Sequence, residues 1–220
     1  MSSEGTGGGE RTRVRRPRRM APHRRRDDLI RTALELFSRR PPDEVGPDDV
    51  AEAADVSRAL VYRYFPNMAE LRQAALRTAV DELSPRLVPP PDLPLLEQLR
   101  TALREFIAFA DAYAPAYTAL LRGGSMVATD STESVIDEVR GQVLDLLAER
   151  SGSPGPRMLL AQRCWISAVE SAVLIWLQER TMPAEELADW LLDQLLAMAD
   201  ASGAGEVETR AVMARISEGA

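Results

Sequence analysis

Arg58, Tyr62, Arg63 and Tyr64 stand within seven consecutive residues of the run Ser57-Arg-Ala-Leu-Val-Tyr-Arg-Tyr-Phe65. A guanidinium in the first turn of a short helix, as at Arg58, can donate two hydrogen bonds to guanine O6 and N7, a contact that favours its base by roughly ten- to hundredfold. Ala59 and Leu60 can meet thymine methyls. The hydroxyls of Tyr62 and Tyr64 suit phosphate oxygens, which fix register without reading sequence, and Arg63 suits either target. The plainer reading is of ordinary surface side chains on a three-helix unit.

Enzyme chemistry lacks its parts. All 27 basic residues are arginine, and His23 is the sole histidine. Without lysine there is no P-loop amine and no Schiff base. Without a histidine in a folded cleft there is no Ser-His-Asp or Cys-His site, and no multi-histidine metal centre. No metal and no cofactor is therefore expected. A lone cysteine, Cys164, forms no internal disulfide and fits a reducing cytoplasm, where it reads as a small buried hydrophobe. No uninterrupted apolar run nears the roughly 18 residues of a membrane span, and the polar N-terminus does not read as a secretory signal.

Charge divides along the chain. The net value is −7, but residues 1–80 carry +4 and residues 81–220 carry −11. Fields are screened within about 8–10 Å, so a duplex responds to the local face and not the total. Residues 1–26 hold nine arginines against Glu4 and Glu10. Residues 1–23 read as a disordered arm, which either tracks phosphates, with Arg24, Arg25 and Arg26 beside it, or is an inert leader.

The elements that must position these groups are helical throughout. Ile30, Ala33, Leu34 and Phe37 mark helix 1 over 24–40, with Asp27 and Asp28 in its first turn and Pro41-Pro42 after it. Gly46 and Pro47 open helix 2, Ala54-Asp55-Val56 form a turn, and Ser57 caps helix 3, whose inner face is Val61 and Phe65. Pro66 breaks it, and helix 4 runs over 67–83 through Leu71, Ala75 and Leu76. Residues 84–94, with five prolines, read as a linker. Helices are then expected over 95–113, from Pro115 to Gly123-Gly124, and over 132–150, 157–180 and 183–201, with a tail at 202–220. The polar stretch 125–131 reads as a loop. The chain therefore reads as all-α, about nine helices, with a domain at 24–83 and a second at 84–201.

Asp-Asp-Val-Ala-Glu-Ala-Ala, Val-Ser-Arg-Ala-Leu-Val-Tyr-Arg-Tyr-Phe-Pro-Asn and Glu70-Leu71 together resemble the DNA-binding region of TetR-family transcriptional regulators over about 28–76. The resemblance implies a homodimer on a palindromic operator, with helix 3 in the major groove, a ligand cavity among helices 5–8 and two final helices pairing the subunits. Three departures stand out: Asp55 where the family has glycine in the turn, Met68 where it has a phosphate-binding lysine, and Asp48, which would repel a phosphate.

Helix 8 is apolar nearly all round and reads as covered on most sides. Trp176 on it, with Leu187, Trp190, Leu191, Leu195 and Met198 on helix 9, is expected at a dimer interface; a monomeric core is the alternative. Phe106, Phe109, Tyr113, Tyr117, Met126, Met158 and Trp165 can line an apolar ligand cavity or be plain core. Glu170 either faces that ligand or pairs internally, with Arg163 or an arginine of helix 5. The expected function is a repressor released by a small apolar effector. The competing class is a ligand- or partner-binding dimer without DNA affinity.

Overall fold

The computed structural model describes residues 22–122, 130–151 and 155–203. They form nine α-helices: α1 (Pro22–Phe37), α2 (Pro47–Ala53), α3 (Arg58–Tyr64), α4 (Met68–Leu83), α5 (Leu95–Ala112), α6 (Ala114–Leu121), α7 (Asp130–Ser151), α8 (Pro156–Glu179) and α9 (Ala184–Gly203). Short 3-10 turns span Pro42–Glu44 and Ser84–Leu87. The described residues contain no strand.

The first core is built by α1–α4. Leu29, Ala33, Val50, Val61, Phe65, Leu71 and Ala75 are buried together. Helix α1 begins and ends earlier than its apolar stripe suggests. Pro22 and His23, assigned to the arm, belong to it, and Asp27 and Asp28 fall beyond its first turn. Their carboxylates therefore do not face the four free amides; Asp28 instead accepts from Arg25 at 2.9 Å. Most of the arginine-rich arm and the tail from 204 lie outside the described residues.

The α2–α3 turn closes as the local chemistry dictates. Asp55 has φ 50°, in the left-handed region. Its N–H reaches the Glu52 carbonyl at 3.1 Å, and the Val56 N–H reaches Ala51 at 2.9 Å, so two otherwise free carbonyls of α2 are satisfied. Aspartate tolerates this conformation better than most residues, which is how the turn survives without glycine. Ser57 Oγ accepts from the Leu60 N–H at 3.3 Å, and Asn67 does the same for α4 through the Glu70 N–H at 2.9 Å.

The second core joins α5, α8 and α9, with α6 and α7 against them. The indole N–H of Trp165 donates to the Leu191 carbonyl at 2.8 Å, and that of Trp176 to Met182 at 2.7 Å. Residues 84–94 are not a free linker, because Leu87 is buried against Leu83 and Ala102. The Gln98 amide also donates to the Leu93 carbonyl at 2.6 Å. Arg77 of α4 forks onto Glu138 of α7, at 2.6 and 3.2 Å.

Helix α8 differs from expectation. Ala161, Trp165, Val169, Val173 and Trp176 face inward, but Leu160, Cys164 and Ile175 are exposed, so Cys164 is not buried. Among the described residues α8 is the one helix long and apolar enough, by length and composition, to cross a membrane. Its inward face is engaged by the core of the same chain.

Candidate functional site

Helix α3 presents Arg58, Ala59, Tyr62 and Arg63 to solvent, with Leu60 half-buried behind them. Val61 and Phe65 anchor it from beneath at 1% and 2% exposure, so the face is held by a rigid support. Tyr64 is half-buried and its ring packs against the first core, as does Met68. Arg58 Nη1 lies 2.7 Å from Asp48 Oδ2, and its guanidinium stacks over the Tyr62 ring at 5.5 Å. Asp48 therefore faces an arginine of the neighbouring helix. The Tyr62 hydroxyl and the Asp48 charge both hold Arg58 more firmly protonated.

The start of α2 is equally fixed. Asp49 accepts from the Gly46 N–H at 2.7 Å and from Arg40 at 2.6 Å. The Arg40 contact, then the Gly46 amide, holds the Asp49 carboxyl below its ordinary value. Arg24 and Arg26 are exposed and Arg25 half-buried, and Arg26 lies 5.0 Å over the Phe65 ring, which sets it beside α3.

The residues expected to line one cavity divide between two. A cavity of about 60 Å³ lies among α5, α7 and α8, and takes in Phe106, Trp165 and Glu170 with Leu99, Leu103 and Val143. Its polar wall is a pair unseen in the sequence: Arg140 Nε and Nη2 donate to the two carboxylate oxygens of Glu170, each at 2.8 Å. Glu170 is thus paired internally, as one reading had it, but with α7 and not with Arg163 or α5. That pairing raises the Arg140 pKa further, against the opposing effect of burial. Phe109, Tyr113 and Tyr117 line a second cavity, of about 70 Å³, between the two cores. The Tyr117 hydroxyl donates to the Glu170 backbone carbonyl at 3.2 Å, and burial pushes its pKa well up. Met158 is half-buried on α8 and lines neither cavity, and Met126 lies outside the described residues.

The expected interface residues also divide. Trp176, Leu187, Leu191 and Leu195 are buried in the core of their own chain, because α9 turns that stripe onto α5 and α8. Met198 is partly buried against the same core. Trp190 is exposed at 45%, alongside Leu160 at 63% and Ile175 at 54%. The residues missed by sequence reasoning, Arg140 and the Asp48 partnership, depend on contacts 30 and 10 positions apart. Only a three-dimensional α2–α3 geometry would have placed Asp48 beside Arg58.

Comparison with known proteins agrees with this architecture. Residues 29–75 match the profile described as bacterial regulatory proteins, tetR family, and residues 95–198 match the tetracyclin repressor-like C-terminal domain. A crystal structure of a tetR-family transcriptional regulator from Streptomyces coelicolor is 38% identical, with a TM-score of 0.85 over 90% of each chain. The transcriptional repressor KstR of Rhodococcus jostii is 29% identical over 164 residues, covering 73% of this chain and 76% of that protein. The regulator LuxR of Vibrio harveyi is 40% identical over 72 residues, and this match spans only 35% of that protein. None of these is an enzyme by its description. The chain belongs to the TetR family of transcriptional regulators.

Proposed function

We propose that the protein is a homodimeric repressor that binds a palindromic operator and is released by a small apolar effector. The observation that carries the reading is the exposed face of α3, with Arg58 and Tyr62 at its surface over a buried Val61–Phe65 support. Two such faces in a dimer would enter successive major grooves about 34–36 Å apart.

The exposed stripe on α8, with Leu160, Cys164, Ala168, Ser171 and Ile175 at helical spacing, supports the dimer. Its central residues are small and would let a second copy of α8 approach closely, with Trp190 of α9 at the margin. A contiguous apolar face of this kind favours a self-complementary contact. The effector would enter the cavity beside Phe106, Trp165 and the Arg140–Glu170 pair. At about 60 Å³ the cavity is smaller than the several hundred Å³ of an ordinary ligand site. Binding must therefore spread α5, α7 and α8, and release follows if the spread state misfits DNA.

Selection of bound duplexes from random DNA tests the function. An enriched palindrome with half-sites about one helical turn apart is the expected result. No enriched sequence would favour a dimer without DNA affinity, a reading supported by the engagement of Arg58 with Asp48.

A further inference from the structure

Asp48 stands in the first turn of α2, beside the face that α3 presents. A carboxylate there weakens the attraction of that face for any phosphate. Its neighbour Asp49 is spent on the Gly46 amide and on Arg40, which fixes where α2 begins. Asp48 instead reaches across the turn, with Oδ2 2.7 Å from Arg58 Nη1. A second hold comes from Tyr62, four residues along α3, whose ring centre lies 5.5 Å from the guanidinium and whose hydroxyl lies 3.5 Å from Nη2. Arg58 is thus gripped from two helices while both it and Asp48 stay exposed. A guanidinium carries five N–H groups in a fixed fork, and the Asp48 pair uses one of them. Guanine O6 and N7 can therefore be met without breaking the pair. A phosphate fits less well, because the Asp48 carboxylate stands against Arg58 and repels it.

We infer that Asp48 is a specificity-determining residue of the DNA contact: it positions Arg58 for guanine and turns phosphate away from it. This role presupposes operator binding by α3 and gives Asp48 no base of its own. The gain is twofold. An exposed arginine that is already ordered loses less freedom when it docks on a base edge. Random duplex, where phosphate is the main contact, loses a cation that the operator retains.

Gel-shift competition with the full-length protein tests the role, on the duplex enriched from random DNA and on copies carrying each other base pair at each position of the half-site. Arg58→Ala identifies the guanine, as the position whose preference disappears. Asp48→Ala should lower the preference for guanine at that position by about three- to tenfold, leave every other position within about twofold, and raise affinity for random duplex. Asp48→Asn, which keeps an oxygen acceptor without the charge, should retain more of the guanine preference than Asp48→Ala while binding random duplex as tightly. In the Arg58→Ala background, Asp48→Ala should alter the preference at no position. A weakened α2 would lower affinity for all sequences alike, so the effect at one position separates positioning from support of the fold. Unchanged guanine preference in Asp48→Ala, a preference lost evenly across the half-site, or a change at a different base pair would each overturn the assignment. A parent that enriches no sequence removes operator binding itself, whereas a parent that enriches one which Asp48→Ala reads identically removes only the role of Asp48.

Discussion

Removing the Glu170 carboxylate should destabilise the protein, and the loss should be recovered by removing Arg140 as well. The two carboxylate oxygens each accept from Arg140 at 2.8 Å. The side chains are 17% and 34% exposed, so neither is fully withdrawn from water. Charge centres about 4 Å apart attract by ~4 kcal/mol at an effective dielectric constant of about 20. Screening at the third-exposed guanidinium reduces this to about 2 kcal/mol. Glu170→Met should therefore cost about 2 kcal/mol, because it leaves Arg140 at an apolar wall with only the exposed Asp137, 2.9 Å away, as a counter-charge. Arg140→Met should cost a similar amount. The double variant should lie within about 1 kcal/mol of the parent, since two apolar side chains of similar volume replace a pair whose desolvation offset much of its attraction. Urea denaturation at fixed protein concentration measures all four corners of the cycle. A loss of 2 kcal/mol should also lower Tm by about 4–8 °C in a chain of this size. A double variant equal to the sum of the singles, or a Glu170→Met variant within about 0.5 kcal/mol of the parent, would refute the pairing argument.

Other perturbations reach the DNA face and the proposed interface. Arg58→Ala should weaken operator binding roughly ten- to hundredfold and relax preference at one base pair of each half-site, read by gel-shift competition. Asp48→Ala should leave the fold unchanged, raise affinity for nonspecific duplex and steepen its salt dependence by about one unit of slope, because one negative charge leaves the face. Ser57→Ala removes the cap on the Leu60 amide and should cost about 1 kcal/mol in chemical denaturation. Ile175→Glu puts a charge on the exposed stripe of α8 and should give a folded monomer by sedimentation, with operator binding much reduced.

Local chemistry was the readable part of this fold. Gly46, Pro47, Asp55, Ser57 and Pro66 each act on their own few residues, and the bounds of α2 and α3 follow from them. The left-handed Asp55 was foreseeable because a turn that family members build with glycine must keep its backbone path. Partner choice was not readable. A 3.6-residue period shows that Leu187, Leu191 and Leu195 share a face, but it cannot say whether that face meets another helix of the same chain or a second copy. The structure turns it inward and leaves Trp190 outside. Glu170 posed the same problem: its burial demanded a partner, but nothing local to α8 indicated Arg140, thirty positions earlier. Phe109 lies about a third of a turn round α5 from Leu103 and Tyr113 caps the end of that helix, which is why one aromatic set serves two cavities.

The Arg77–Glu138 fork fixes a distance from which a small movement is enlarged. Helix α4 has 16 residues and is about 24 Å long. Its C-terminal half is tied to α7 at Glu138, the residue before Val139 and Arg140 of the first cavity. Its N-terminal end follows directly from α3 through Pro66 and Asn67. A tilt of ~5° about Arg77, which lies ~14 Å along the helix from Met68, would carry the α3 end through ~1.2 Å. A phosphate hydrogen bond is lost when stretched by less than 1 Å, so a displacement of that size exceeds what the contacts tolerate. In a dimer the two displacements add. An effector need not reshape α3 at all: a few degrees of rotation, set by the length of one helix, would suffice to move two intact reading heads out of register with their grooves.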